Sequence, residues 1–182
     1  YSAIVCLIIL ATICTRFFHL GDRVMSHDEV NHVVPSFDLY SGLGYSHNPI
    51  SHGPLQFHLI ALSYFLFGDS DFSSRLPHAI ASTATIIFIL FAYRKYFGKT
   101  GSIITAILFL ISPYLLFYGR YARNEAFIGL FLVVTFYAIL CYFDKRKNSS
   151  LYLLTAALTF YFTSKDKSFP LVWQLCIFLH KA

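Results

Sequence analysis

Leu55-Gln56-Phe57-His58-Leu59-Ile60-Ala61-Leu62-Ser63-Tyr64-Phe65-Leu66-Phe67 is the stretch on which the architecture turns. It is apolar enough to enter a bilayer. At 1.5 Å per residue, however, a helix of this length covers roughly 20 Å, against a hydrocarbon core of about 30 Å. Pro54 precedes it and Gly68-Asp69-Ser70-Asp71 follows it. It reads as a helix lying at the membrane surface rather than a span.

Six further apolar runs, 1–20, 76–93, 101–118, 126–143, 150–163 and 168–180, read as membrane spans, with an outer loop over 21–75 that carries the surface helix. The composition agrees: 57% of residues are hydrophobic, 19% aromatic and only 13% charged, with a mean hydropathy of +0.60. A soluble domain carries about twice that charged fraction. The expected fold is therefore all-α, a polytopic transmembrane helical bundle in one module over 1–182. The first run has no basic leader and no small-residue cleavage site, so it reads as a retained span. The first residue is Tyr1 rather than Met, and the sequence ends just after an apolar run; both suggest a fragment.

Charge placement discriminates between the two readings of 55–67. With that run at the surface, Arg94, Lys95 and Lys99 share a side with Lys145, Arg146, Lys147 and Lys181. The positive-inside rule puts that side in the cytoplasm. Eight of the nine acidic residues, all but Asp144, then lie outside. If 55–67 crossed, the acidic first loop would share a side with the basic clusters. The net charge of +5 is spread over short loops, which argues for topology signals and against a nucleic-acid face. Cys6, Cys14, Cys141 and Cys176 sit in apolar runs with no Cys-x-x-Cys pair and read as lipid-facing or packing residues. Asn148-Ser149-Ser150 fits a glycosylation acceptor but falls on the cytoplasmic side, and no phosphate-binding glycine loop is present; Gly42-Leu43-Gly44 is too short.

The chemistry-bearing residues gather on the outer side. Ser26-His27-Asp28-Glu29 is a capping-box pattern, so a short helix begins at Ser26, and Pro35 is expected to kink or end it early. Capping accounts for Glu29 but leaves Asp28 free to point elsewhere. His27, Asp28 and His32 are candidate metal ligands, with His47 and His52 as further candidates. The histidines at 27 and 32 are five apart, a near miss for H-E-x-x-H, and a solvated-loop reading competes. A divalent metal is the one cofactor these residue types suggest. Arg120-Tyr121-Ala122-Arg123-Asn124-Glu125, at the junction of two spans, suits a phosphate because guanidinium binds it bidentately; snorkelling arginines and a helix-capping Glu125 explain it equally well. Lys165, in Thr163-Ser164-Lys165-Asp166-Lys167, could neutralise a phosphate or belong to an ordinary charged turn.

Taken in order, these motifs resemble the N-terminal part of a GT-C type membrane glycosyltransferase, similar to the protein O-mannosyltransferase and lipid A aminoarabinose transferase superfamily. The carriers are Asp28-Glu29 with His32, His52-Gly53-Pro54, Phe67-Gly68, Arg75-Leu76-Pro77, Ser112-Pro113, Arg120-Tyr121-x-Arg123-Asn124-Glu125 and Thr163-Ser164-Lys165. The nearest subgroup is prokaryotic, notably archaeal, and linked to protein N-glycosylation and flippase-associated activity. Asp166-Lys167 replaces the glycine usual after the lysine, and Glu125 stands where many relatives carry Asp. Relatives run to several hundred residues, so a C-terminal remainder is expected.

The resemblance implies transfer of a sugar from a polyprenyl-phosphate donor to a protein, lipid or glycan acceptor at the outer face of a prokaryotic plasma membrane. It casts Asp28 as general base, with Glu29 and Glu125 in the catalytic set. His32, Arg120, Arg123 and Lys165 become substrate-binding residues, with Arg123 and Lys165 on the leaving phosphate. The competing class is a non-catalytic protein that binds or translocates lipid-linked glycans with the same arginines and lysine and without Asp28 as a base; its transporter form predicts charges inside the spans, which are nearly charge-free.

Overall fold

The computed structural model describes residues 1–46 and 53–164. Among these every regular element is helical: α1 (Ser2–Phe17), α2 (His27–Tyr40), α3 (Leu55–Phe67), α4 (Asp71–Ala92), α5 (Arg94–Ile111), α6 (Pro113–Tyr118), α7 (Glu125–Lys145) and α8 (Asn148–Ser164). Of these, α4 and α7 are long and apolar enough to cross a membrane. The expected run 168–180 lies outside the described residues.

The helix boundaries follow local chemistry. The Ser26 hydroxyl and the Glu29 carboxylate satisfy each other's backbone N–H in a complete capping box that starts α2. The Ser70 hydroxyl accepts from the Ser73 N–H at 3.1 Å and starts α4. The apolar run 101–118 is not one helix. Ser112 is extended (φ −58°, ψ 119°) because the Pro113 ring excludes the helical region for the residue before it, and Pro113 then opens α6. Of the two effects expected of Pro35, a kink or an early end, the early end does not occur: the helix continues to Tyr40. Packing outweighs the lost hydrogen bond, since beyond Pro35 the rings of Phe37 and Tyr40 lie 6.4 and 5.8 Å from that of Tyr64 on α3.

Helix α4 is the centre of the bundle and packs on α1, α3, α5 and α7, while α8 lies on α7. The main core joins Val5 and Ile8 of α1, Ile86, Ile89 and Leu90 of α4, and Ala106 of α5, closed by Tyr93. A smaller cluster of Ala81, Ala126 and Phe127 seals α4 to α7 nearer the other end. Outward faces remain apolar, with Leu7 and Leu10 on α1 and Phe65 and Leu66 on α3 all exposed.

One end of the bundle carries the start of α1, the start of α5 and the end of α7. There Lys95 pairs with Asp144, and Arg94 and Lys99 lie over the Tyr1 ring at 4.7 and 5.7 Å. The opposite end carries the C-terminus of α1 and α8 and the N-termini of α2, α4 and α7. It holds the motif residues.

Candidate active site

Glu29 organises this second end. Its position in the capping box turns its side chain inward, where it is fully buried. Oε1 accepts from Arg75 Nε at 2.8 Å and from the Ala122 N–H at 3.1 Å. Oε2 accepts from Arg75 Nη2 at 3.1 Å, Arg23 Nη2 at 2.8 Å and the Ser26 N–H at 3.1 Å. Arg75 Nη1 also donates to the carbonyls of Leu20 and Arg23, at 3.0 and 2.8 Å. One carboxylate therefore ties together the loop after α1, the start of α2, the first turn of α4 and the turn between α6 and α7. Burial alone would raise its pKa. The Arg75 hydrogen bonds, the Ala122 and Ser26 N–H groups and the Arg75 charge outweigh burial and hold it below the ordinary carboxylate value.

Asp28 precedes Glu29 by one residue, about 100° round the helix, so it points away from this buried cluster. Its side chain is half-exposed and accepts from Arg123 Nη1 at 2.9 Å. Arg123 Nε in turn lies 3.1 Å from Glu125 Oε1. The result is a carboxylate–guanidinium–carboxylate chain that runs inward from the exposed Asp28 to the largely buried Glu125, joining α2 to the start of α7. The turn that carries Arg123 is fixed from three sides. Its Ala122 N–H is held by Glu29, the Tyr121 and Ser26 hydroxyls share a hydrogen bond, and Asn124 Nδ2 donates to the Ser164 carbonyl at 3.2 Å. Gly119 begins the turn so close to α4 that a Cβ there would sit 2.3 Å from Ser82 Oγ. Gly53 makes a similar approach to the end of α8, where a Cβ would meet the Thr163 carbonyl oxygen at 2.1 Å. Only glycine fits these contacts.

Asp28, Arg123 and Glu125 are thus brought together, with Glu29 directly beneath. Arg120 lies elsewhere. Its guanidinium donates to the carbonyls of Thr15, Phe18 and His19 at 3.2, 2.6 and 3.1 Å and so closes the C-terminal end of α1. His32 is on the buried face of α2, its ring 5.7 Å from that of Phe57. His27 is exposed on the other side. The suggested His27–Asp28–His32 metal set is therefore not assembled, because the five-residue separation places the two histidines on different faces; among the described residues no group of three His, Cys, Asp or Glu side chains is placed to hold a metal. His47, His52 and Lys165 lie outside the described residues.

Three participants escaped the sequence reading of the site. Arg75 stood out only as part of a motif, and Arg23 was not singled out at all. Arg16, fully buried in an otherwise apolar helix, donates from Nη2 and Nη1 to the Phe109 and Leu110 carbonyls at 3.3 and 3.2 Å, at the end of α5 beside the Pro113 break. The available signal was cost: an arginine inside an apolar run is retained only with partners.

A profile of the family described as dolichyl-phosphate-mannose-protein mannosyltransferase matches residues 51–181. No curated protein and no solved structure matches the chain.

Proposed function

The chain belongs to the dolichyl-phosphate-mannose-protein mannosyltransferase family, and on that premise we propose that it transfers a sugar from a polyprenyl-phosphate donor to an acceptor hydroxyl or amide at the outer membrane face. The observation that carries the reading is the Asp28–Arg123–Glu125 chain. Arg123 and Glu125 lie in the family-matched segment; Asp28 precedes it and joins the site through its ion pair with Arg123.

The chemistry follows from what each group can do. The acceptor's proton passes to the Asp28 carboxylate while the acceptor atom bonds to the anomeric carbon. The bond from that carbon to the phosphate oxygen breaks, its electron pair leaves with the polyprenyl phosphate, and negative charge rises there. Arg123, half-buried and bidentate by geometry, meets that charge, and Lys165 adds a second cation. Glu125 keeps Arg123 aimed when the donor phosphate takes over the contact that Asp28 makes without donor. Glu29 holds the backbone under Arg123, Arg120 holds the end of α1 against the same turn, and His32 fills the wall beneath α2. These three contribute by positioning.

Neutralising Arg123 (Arg123→Gln) removes a charge-assisted contact of about 1.5–3 kcal/mol, equivalent to roughly 10–100-fold in donor affinity. Lys165→Gln is expected to act in the same direction. Donor binding to the intact protein in nanodiscs measures this. Unchanged affinity in both variants would return these cations to the role of interfacial anchors and favour a site elsewhere.

In the proposed topology α4 and α7 cross with α1, α5–α6 and α8 as companions. Helix α3 rests at the interface, its Phe65 and Leu66 toward lipid and its Phe57 and Ile60 against the bundle. In a background without the four native cysteines, membrane-impermeant maleimide added outside should label Cys placed at His27 or Ser41 but not at Lys99 or Lys147. Outside labelling at Lys147 would mean that α3 crosses and that the shared outer site is wrong.

A further inference from the structure

On the far side of Glu29 from Asp28 lies a second cleft, about 360 Å³, between the end of α1, the first turn of α4 and α6. Its walls combine two chemistries. Arg23, Arg75 and Arg120 supply positive charge, and Leu20, Leu116 and Phe117 supply apolar surface. Two of these guanidinium groups, Arg23 and Arg75, share the buried Glu29 carboxylate, and the third, Arg120, has only carbonyl partners. Asp22, at the rim, is engaged by the His19 imidazole.

The arginines differ in how far they are already used. Arg75 spends four N–H bonds on Glu29 and two carbonyls. Arg120 spends three on the end of α1. Arg23 makes a single hydrogen bond among the described residues, to Glu29, and its side chain is 47% exposed. Its guanidinium carbon lies 5.4 Å from the Phe117 ring centre and 5.0 Å from that of Tyr121, which hold it at the mouth of the cleft. A planar guanidinium fixed this way, with donors to spare and a cation excess behind it, suits a tetrahedral oxyanion. The apolar wall formed by Leu116 and Phe117 suits the first carbons of a chain attached to that anion. Basic pockets between helices at headgroup depth bind lipid phosphates by the same combination.

We propose that this cleft is a second phosphate site, which takes the phosphate head of a membrane lipid with Arg23 as its principal ligand. It is separate from the Asp28–Arg123 pair because the Glu29 carboxylate stands between them, and it does not depend on Asp28 acting as a base. Two sources share the chemistry: a phospholipid headgroup, and a polyprenyl phosphate of the kind that transfer would release.

The test uses the intact protein in neutral nanodiscs doped with phosphatidylglycerol, with undecaprenyl phosphate, or with neither but in millimolar inorganic phosphate. Retained lipid is read by native mass spectrometry and bound free phosphate by radiolabel. Because the Asp28–Arg123 site is itself expected to bind a polyprenyl phosphate, the comparison is made in the Arg123→Gln background. Retention in at least one arm that persists there and falls about tenfold or more when Arg23→Gln is added supports the site, and the arm that binds identifies the source. Leu116→Glu, which places a carboxylate on the wall without removing an arginine, should abolish retention as well and serves if Arg23→Gln proves unstable. Three outcomes would each overturn the proposal: no retention in any arm, retention indifferent to both cleft variants, or no retention left in any arm once Arg123→Gln is present. If Asp28→Asn keeps full turnover while the cleft still binds lipid, the transfer reading fails and this one stands.

Discussion

Asp28→Asn should lower single-turnover sugar transfer by at least about two orders of magnitude, since a positioned general base contributes typically 10²–10⁴-fold. The substitution keeps the side-chain shape, and one amide oxygen can still accept from Arg123, so the fold and donor binding should survive. Asp28 sits outside the buried Glu29 cluster and its side chain is 54% exposed. Loss of activity in a folded, donor-binding variant would therefore report on the proton acceptor. The measurement is transfer by the intact protein, with donor affinity taken separately. Near-normal turnover would remove Asp28 as the base and move the balance to a protein that binds or translocates lipid-linked glycans without chemistry.

Breaking the buried pair beneath it should act on stability first. Arg75→Met leaves Glu29 buried with its largest partner gone, and removing one member of such a pair costs about 3–5 kcal/mol. Denaturant unfolding in detergent measures the loss. Arg75→Met combined with Glu29→Leu should cost less than the sum of the single substitutions, because the second removes the stranded charge. The pH dependence has a definite direction. The fold keeps Glu29 ionised below its ordinary value of 4.5, so its contribution is complete above that pH and is lost as pH falls through the lower folded value. Acid should destabilise the native protein in that window, and Glu29→Gln should flatten the dependence there while lowering stability at neutral pH. An unaltered acid limb in Glu29→Gln would mean that another carboxylate carries it.

Much of this architecture is legible in one dimension because it depends on local chemistry. Apolar runs 126–143 and 150–163 nearly coincide with α7 and α8, and the Ser26–Glu29 capping box opens α2 where the pattern puts it. The division of 101–118 was also available, since Ser112-Pro113 carries a strong backbone preference that the apolar pattern overshadowed. Pro35 shows the opposite case: its local effect is real, but the aromatic contacts of Phe37 and Tyr40 with Tyr64 override it from another helix.

By itself the sequence determined the helical class, the apolar runs that fold as helices and the short list of charged residues worth suspecting. Only two of the six expected spans, in α4 and α7, are long and apolar enough among the described residues to cross a membrane. Hydrophobic periodicity, capping and charge placement are properties of neighbours along the chain. Only the tertiary structure decided what those charges do. It set Arg123 between Asp28 and Glu125, sent Arg120 to the end of α1, and buried Glu29 under Arg75, a partner 46 residues away. An ion pair between distant segments leaves no periodicity behind. Its geometry exists once packing has brought the helix ends together, and burial then decides which carboxylate is spent on structure and which stays open to substrate.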